Sequence, residues 1–156
     1  MIRELDISRP SVYEVYYEAY EHLALAEVLH LTNNLDKAYD KFLEELKVSD
    51  SFGHELEKAH ALLGIAETKR LMGEIDQESC RKALEIYRKV GSKWGEVHTL
   101  IALALIEIKN GKGSSALLKQ AASIAQEASL KSDVEFIAYL DTKGQESNKR
   151  HVLIFV

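Results

Sequence analysis

Residues 53–73 read GHELEKAHALLGIAETKRLMG, and residues 91–111 read GSKWGEVHTLIALALIEIKNG. Both segments open and close on glycine, and both are displaced copies of one pattern. A shift of 38 carries Gly53 onto Gly91 and Gly73 onto Gly111, and the same shift pairs Leu63 with Ile101, Ala66 with Ala104, Ala83 with Ala121 and Ile86 with Ile124. A shift of 40 carries the pattern one unit towards the front, pairing Ala26 with Ala66, Leu31 with Leu71, Asn33 with Gly73, Leu35 with Ile75 and Leu46 with Ile86. The reading is three helix-turn-helix units in series. One helix pair cannot bury its apolar face alone, so each unit must cover its neighbour and the ends need caps.

The single proline, Pro10, precedes every periodic segment, so nothing in residues 11–140 removes a helical backbone donor. Apolar residues recur at helical spacing at Val12, Tyr16, Ala19, Leu23 and Ala26, and again at Leu35, Ala38, Phe42 and Leu46, with Asn33 and Asn34 marking a turn between. Further helices are predicted near 54–72, 76–90, 93–109, 114–129 and 132–140, the last shorter than the rest. The expected organisation is a helical repeat domain over 1–140 and a tail over 141–156. That tail is polar until His151 and then ends in five consecutive apolar residues, Val152 to Val156. Such a run invites aggregation in water, so docking or pairing of the tail is expected.

The chain has 156 residues, 46% apolar and 29% charged, which is enough for one domain with a real core. Its longest unbroken apolar run, Leu100 to Ile106, is seven residues, against the roughly 20 that a membrane helix needs. The N-terminal residues lack a signal-peptide pattern and Cys80 is the only cysteine, so a cytoplasmic protein without disulfides is expected. Net charge over 1–50, 51–100 and 101–156 runs −6, 0 and +1. The densest basic stretch, Arg81, Lys82, Arg88, Lys89 and Lys93, is diluted by Glu85 and lacks the footprint of a nucleic-acid binder.

The repeated segment resembles the tetratricopeptide repeat (TPR) family, whose first helix carries an aromatic residue, then Leu-Gly, then Tyr at fixed spacing. His60, Leu63, Gly64 and Glu67 occupy those places in the middle unit, Tyr20, Leu23, Ala24 and Glu27 in the first, and His98, Ile101, Ala102 and Leu105 in the third. Ala38 with Phe42 resembles the second-helix signature, whereas Cys80 with Leu84 and Leu118 with Ala122 match it more loosely, and no proline ends a repeat. The resemblance covers about residues 15–140, at the 38 to 40 residue repeat length of the longer members. It implies an all-α fold: a right-handed superhelical solenoid of about three units plus a short capping helix, with the first helices lining a concave groove.

Carried over residue by residue, the groove implied by the resemblance falls at Glu18, Glu21, Leu25 and Val28 in unit one. It continues at Lys58, Ala61, Ile65, Thr68 and Lys69 in unit two and at Glu96, Thr99, Leu103, Ile106 and Glu107 in unit three. The carboxylate clamp of the family would require Lys, Asn or Arg where this chain has Glu21, Leu25, Leu62, Glu96 and Leu100. Acidic C-terminal tails are therefore not the expected ligand, because Glu facing a carboxylate is repulsive.

Glu27-x-x-His30 and Glu57-x-x-His60 each place a carboxylate and an imidazole one helical turn apart, as di-iron bundles do, but such bundles need a further Glu from each of two other helices. Glu44 or Glu45 could supply one, and no long helix precedes residue 11 to supply the other. His54-Glu55 starts like a zinc-protease motif, yet its next histidine, His60, comes six residues on instead of four. Gly111 to Ser115 follows a helix and lacks the upstream glycine of a phosphate loop. Cys80 reads as an apolar filler without an activating base, and the stripe Tyr13, Tyr16, Tyr17, Tyr20 reads as packing.

The expected function is a non-enzymatic module that binds a protein or peptide in the groove, without cofactor, metal, nucleic acid or membrane. A homodimer through the solenoid ends or the tail is a further expectation. Two alternatives stay open: a sensor arm for a signalling peptide or small ligand, and a metal-dependent, di-iron-like helical enzyme.

Overall fold

A computed structural model describes the backbone of residues 12–143 and side chains from 22 to 141. Among the described residues the chain is all-α, with seven helices: α1 (Val12–Leu31), α2 (Leu35–Phe52), α3 (Glu55–Leu71), α4 (Gln77–Val90), α5 (Lys93–Lys109), α6 (Ser115–Glu127) and α7 (Lys131–Lys143). The helices anticipated from periodicity are all present, with bounds moved by a few residues. The seventh is as long as the sixth, 13 residues each, and passes the boundary expected at 140. The apolar tail lies outside the described residues.

The repeat is written most clearly in the turns. A single residue in left-handed conformation closes each of the six connections: Asn33, Gly53, Gly73, Gly91, Gly111 and Ser129, with φ of 66, 70, 89, 78, 71 and 58°. Behind each, the next residue's N–H reaches back five residues to a carbonyl of the finished helix: Asn34 to Leu29, His54 to Ser49, Glu74 to Lys69, Ser92 to Tyr87, Lys112 to Glu107 and Leu130 to Ala125, at 2.8 to 2.9 Å. This closure satisfies carbonyls that a helix end leaves bare, and it favours glycine or asparagine because a Cβ is strained there. Ser129, 38 residues after Gly91, holds the same conformation without either residue type. Among the described residues two starts are capped by side chains, with Asp76 accepting from Ser79 N–H at 2.9 Å and Ser92 Oγ from Gly95 N–H at 3.1 Å.

Every helix packs on its successor, and α1 with α3 and α3 with α5 also touch, whereas no pair of even-numbered helices makes comparable contact. One core cluster joins α1 to α4 and reaches Ala102 and Ile106 of α5. The other joins α5, α6 and the Ile137 and Leu140 side of α7. Two glycines let an aromatic ring from the preceding helix reach the backbone: Phe42 of α2 lies against Gly64 and Tyr87 of α4 against Gly95, so that a Cβ at either glycine would collide with the ring. The middle of α3, Ala61 to Thr68, and the first half of α5, Gly95 to Ala102, are buried for more than two successive turns, all the way round.

Candidate functional site

The shifts of 38 and 40 place Leu25, Ile65 and Leu103 at one register of the odd-numbered helices, and Val28, Thr68 and Ile106 at the next. On α3 and α5 these positions are packed against the core, Leu103 only in part. Thr68 Oγ1 lies 3.1 Å from His30 Nδ1 of α1, both side chains buried, and Ile106 belongs to the core cluster built by α1 to α4. Ile65 is 3% exposed, and Thr68 and Ile106 are fully buried. Helix α1 has no predecessor among the described residues, and there the same register is open, Leu25 being 46% and Val28 56% exposed.

The other positions of the anticipated groove divide in the same way. Ala61 and Thr99 are buried, and Thr99 Oγ1 donates to the Gly95 carbonyl at 2.7 Å. Lys69, Leu103 and Glu107 are half-buried. The Lys69 ammonium donates to Asp76 at 3.1 Å and sits 5.6 Å from the Tyr39 ring centre, and the bond to Asp76 raises its pKa above the ordinary lysine value. The side chain of Glu21 lies outside the described set. The accessible part of the anticipated line is therefore concentrated on α1.

A second constellation, not anticipated from sequence, gathers where α3, α5 and α7 begin. The Trp94 and His98 rings stack with centres 4.2 Å apart, and His60 and Tyr87 meet Trp94 edge-on at 5.5 and 6.3 Å. Buried His98 pairs through Nε2 with Asp133 of α7 at 2.9 Å, tying α7 to α5. The Tyr87 hydroxyl is 2.6 Å from His60 Nδ1, and burial pushes the phenol well above its usual pKa. The His60 tautomer sets the direction of this bond: the phenol donates when the imidazole proton is on Nε2 and accepts when it is on Nδ1. Burial, and then the nearby His98, lower the His60 pKa from 6.5 to about 4. Four elements meet here, spread over residues 60 to 133, which is why local motif spacing did not reveal the cluster.

The metal-type motifs are held apart. His30 engages Thr68 near the end of α3 and His60 engages Tyr87 near its beginning, and the eight residues from 60 to 68 span about 12 Å of helix. Among the described residues no group of three or more His, Cys, Asp or Glu could hold a metal ion. Cys80 is buried, and burial, then Glu67 and Asp76, raise its thiol above the ordinary value, as expected of a packed, protonated filler. Arg70 forms a buried, two-pronged pair with Glu67 at 3.0 and 3.1 Å, and its carbonyl accepts from Lys109 of α5 at 3.0 Å. No helix among the described residues is long and apolar enough to cross a membrane. Compared with known proteins, the chain matches no family model, no curated protein and no solved structure.

Proposed function

We propose that this chain is a non-enzymatic protein-interaction module, a TPR-like right-handed solenoid that receives a peptide or partner helix on the groove side of its odd-numbered helices where that side is open, at α1. The observation that carries the reading is the contrast at two neighbouring registers: Leu25 and Val28 are open on α1, while Ile65, Thr68 and Ile106 are buried and Leu103 is half-buried. Large apolar side chains at a position the fold elsewhere uses for helix packing fit a surface that a further helix covers. Curvature is supported by the contact pattern. A row of helix pairs whose odd members touch while the even members stay apart bends towards the odd side. The proposed setting is the cytoplasm, in keeping with one buried thiol.

The test compares wild type with Leu25→Asp/Val28→Asp, using Lys82→Glu at an exposed position of α4 as the control, for proteins retained from the native host's extract. Retention of a protein by wild type and control, lost in the α1 variant with the helical spectrum unchanged, is the expected result. Equal retention by all three overturns the reading, and so does stoichiometric iron or manganese in the purified protein, which belongs to the enzyme class.

A further inference from the structure

We infer that α7 exchanges between two copies of this chain, the turn between α6 and α7 straightening into one long helix that carries α7 onto the α6 of its partner. Five of the six turns are closed by Gly or Asn in left-handed conformation, and the sixth is closed by Ser129 at φ of 58°. A Cβ is strained there. From Ser114 to Lys143 the chain holds neither glycine nor proline, and Ala128, Leu130 and Lys131 around the turn are good helix formers. Leu130, which precedes α7, carries no oxygen that could cap it, whereas Asn34, Asp76, Ser92 and Ser114 precede α2, α4, α5 and α6. Glu127 and Lys131 stand four residues apart, in the order that a continuous helix turns into a stabilising pair. The local sequence therefore favours a helix running straight through this turn.

The contacts that hold α7 in place are ones a second copy reproduces. Helix α7 packs on α6 through the side that carries Ile137 and Leu140, and it reaches α5 through Asp133, 2.9 Å from His98. Among the described residues no helix follows α7 to anchor it to its own chain. Beside the turn an open cleft is lined by Ala125, Leu130 and Val134, and the last two are half-buried. Two straightened copies cross antiparallel near residue 129, and each α7 meets in its partner the α6 and the His98 that its own chain has lost. The contacts of the closed form are thus remade between chains, which leaves the hinge and the entropy of association as the difference. At the hinge, Ser129 N–H to the Gln126 carbonyl and Leu130 N–H to the Ala125 carbonyl are traded for ordinary helical bonds, and Ser129 returns to the right-handed region. Concentration offsets the entropy. Short hinges under strain invite this exchange, and at the glycine turns no comparable strain exists. Helix α1 takes no part, so the inference stands apart from the docking reading.

The experiment uses the full chain, equilibrated over a concentration series and read by size-exclusion chromatography with light scattering. The wild type is expected to form a dimer as concentration rises. Ser129→Gly should weaken that dimer at least about tenfold, because both hinges lose the strain that opening relieves, and Ser129→Ala should strengthen it, because alanine keeps the Cβ and favours helix. Exchange itself is read from spin labels on Ala116→Cys/Asp141→Cys, two exposed positions, while Cys80 is buried away from the label. Labelled chains are diluted in unlabelled ones so that only labels on one chain are paired. Those positions stand about 38 Å apart along a continuous helix, whereas paired helices pack with axes about 8–10 Å apart. The long distance is expected in the dimer and the short one in the monomer, with circular dichroism verifying that each variant is folded. A dimer that shows only the short distance is an ordinary interface and overturns the exchange. So does a dimer equally strong in Ser129→Gly, or a wild type that stays monomeric up to its solubility limit. A dimer that dissolves in Leu25→Asn/Val28→Asn and ignores Ser129→Gly belongs to α1 and also overturns the inference.

Discussion

At the scale of single residues, the sixth turn offers a clean test of the repeated closure. Ser129 holds φ of 58°, where a Cβ is strained and glycine is not. Ser129→Gly is expected to raise stability by about 0.5–1 kcal/mol, measured by urea denaturation. Gly91→Ala, with φ of 78° and open space around the position, is the reciprocal change and should lower stability by a similar amount. A lower midpoint for Ser129→Gly would mean that this turn is not held as described. Gly64 is limiting for a different reason, since its φ is ordinary and the Phe42 ring occupies the space of a Cβ. Gly64→Leu should cost at least about 1 to 3 kcal/mol by overpacking the α2–α3 contact, and an unchanged melting temperature would contradict that contact.

At the scale of elements, the meeting of α3, α4, α5 and α7 around Trp94 gives the fold a pH dependence with a definite sign. His60 titrates at about 4 when folded against an ordinary 6.5, so between those values the unfolded chain binds more protons than the folded one. Stability is therefore expected to fall as the pH is lowered from about 6.5 towards 4. His60→Gln should flatten that part of the melting-temperature profile, and an equally steep profile in the variant would place the dependence on other groups. Trp94 is the only tryptophan and stacks on His98, so intrinsic fluorescence reports on this cluster directly. The His98 to Asp133 contact joins α7 to α5, two helices that otherwise touch little. Asp133→Ala is expected to shift tryptophan emission and to speed amide exchange in α7 more than in α3. Unchanged exchange in α7 would show that its packing on α6 suffices.

At the scale of the whole molecule, each helix packs mainly on its neighbours in the chain, with α1 to α3 and α3 to α5 as further contacts. Protection should therefore grade from the middle outward. The central turns of α3 and α5, buried all round, are expected to exchange their amides most slowly, and α7, with one packed side, faster. Uniform protection across all seven helices would mean that the array behaves as a single cooperative block. The acidity of the first third belongs to this scale as well, because it falls on the end of the row that has an open face. If the α1 end is a docking surface, partner binding should slow amide exchange in α1 more than in α6.

The helices, the five turns closed by glycine or asparagine and the period of about 38 are legible without the fold, because each depends on residues close in the chain: apolar spacing within a helix, and glycine or asparagine where a Cβ is strained; the sixth turn, at Ser129, carries no such signal. The close approach at Gly64 was legible in the same way, since a small residue recurs there as Ala24 and Ala102. The tertiary structure alone decided which repeat-equivalent residues are covered. Leu25, Ile65 and Leu103 look interchangeable in a repeat, yet exposure depends on whether a neighbouring helix precedes, and that is a property of position in the row. The Trp94 cluster was likewise hidden, since His60, Tyr87, His98 and Asp133 converge only when four elements pack. The physical reason is the same in both cases: local backbone preference is written within a few residues, whereas burial and pairing are set by contacts between residues far apart in the chain.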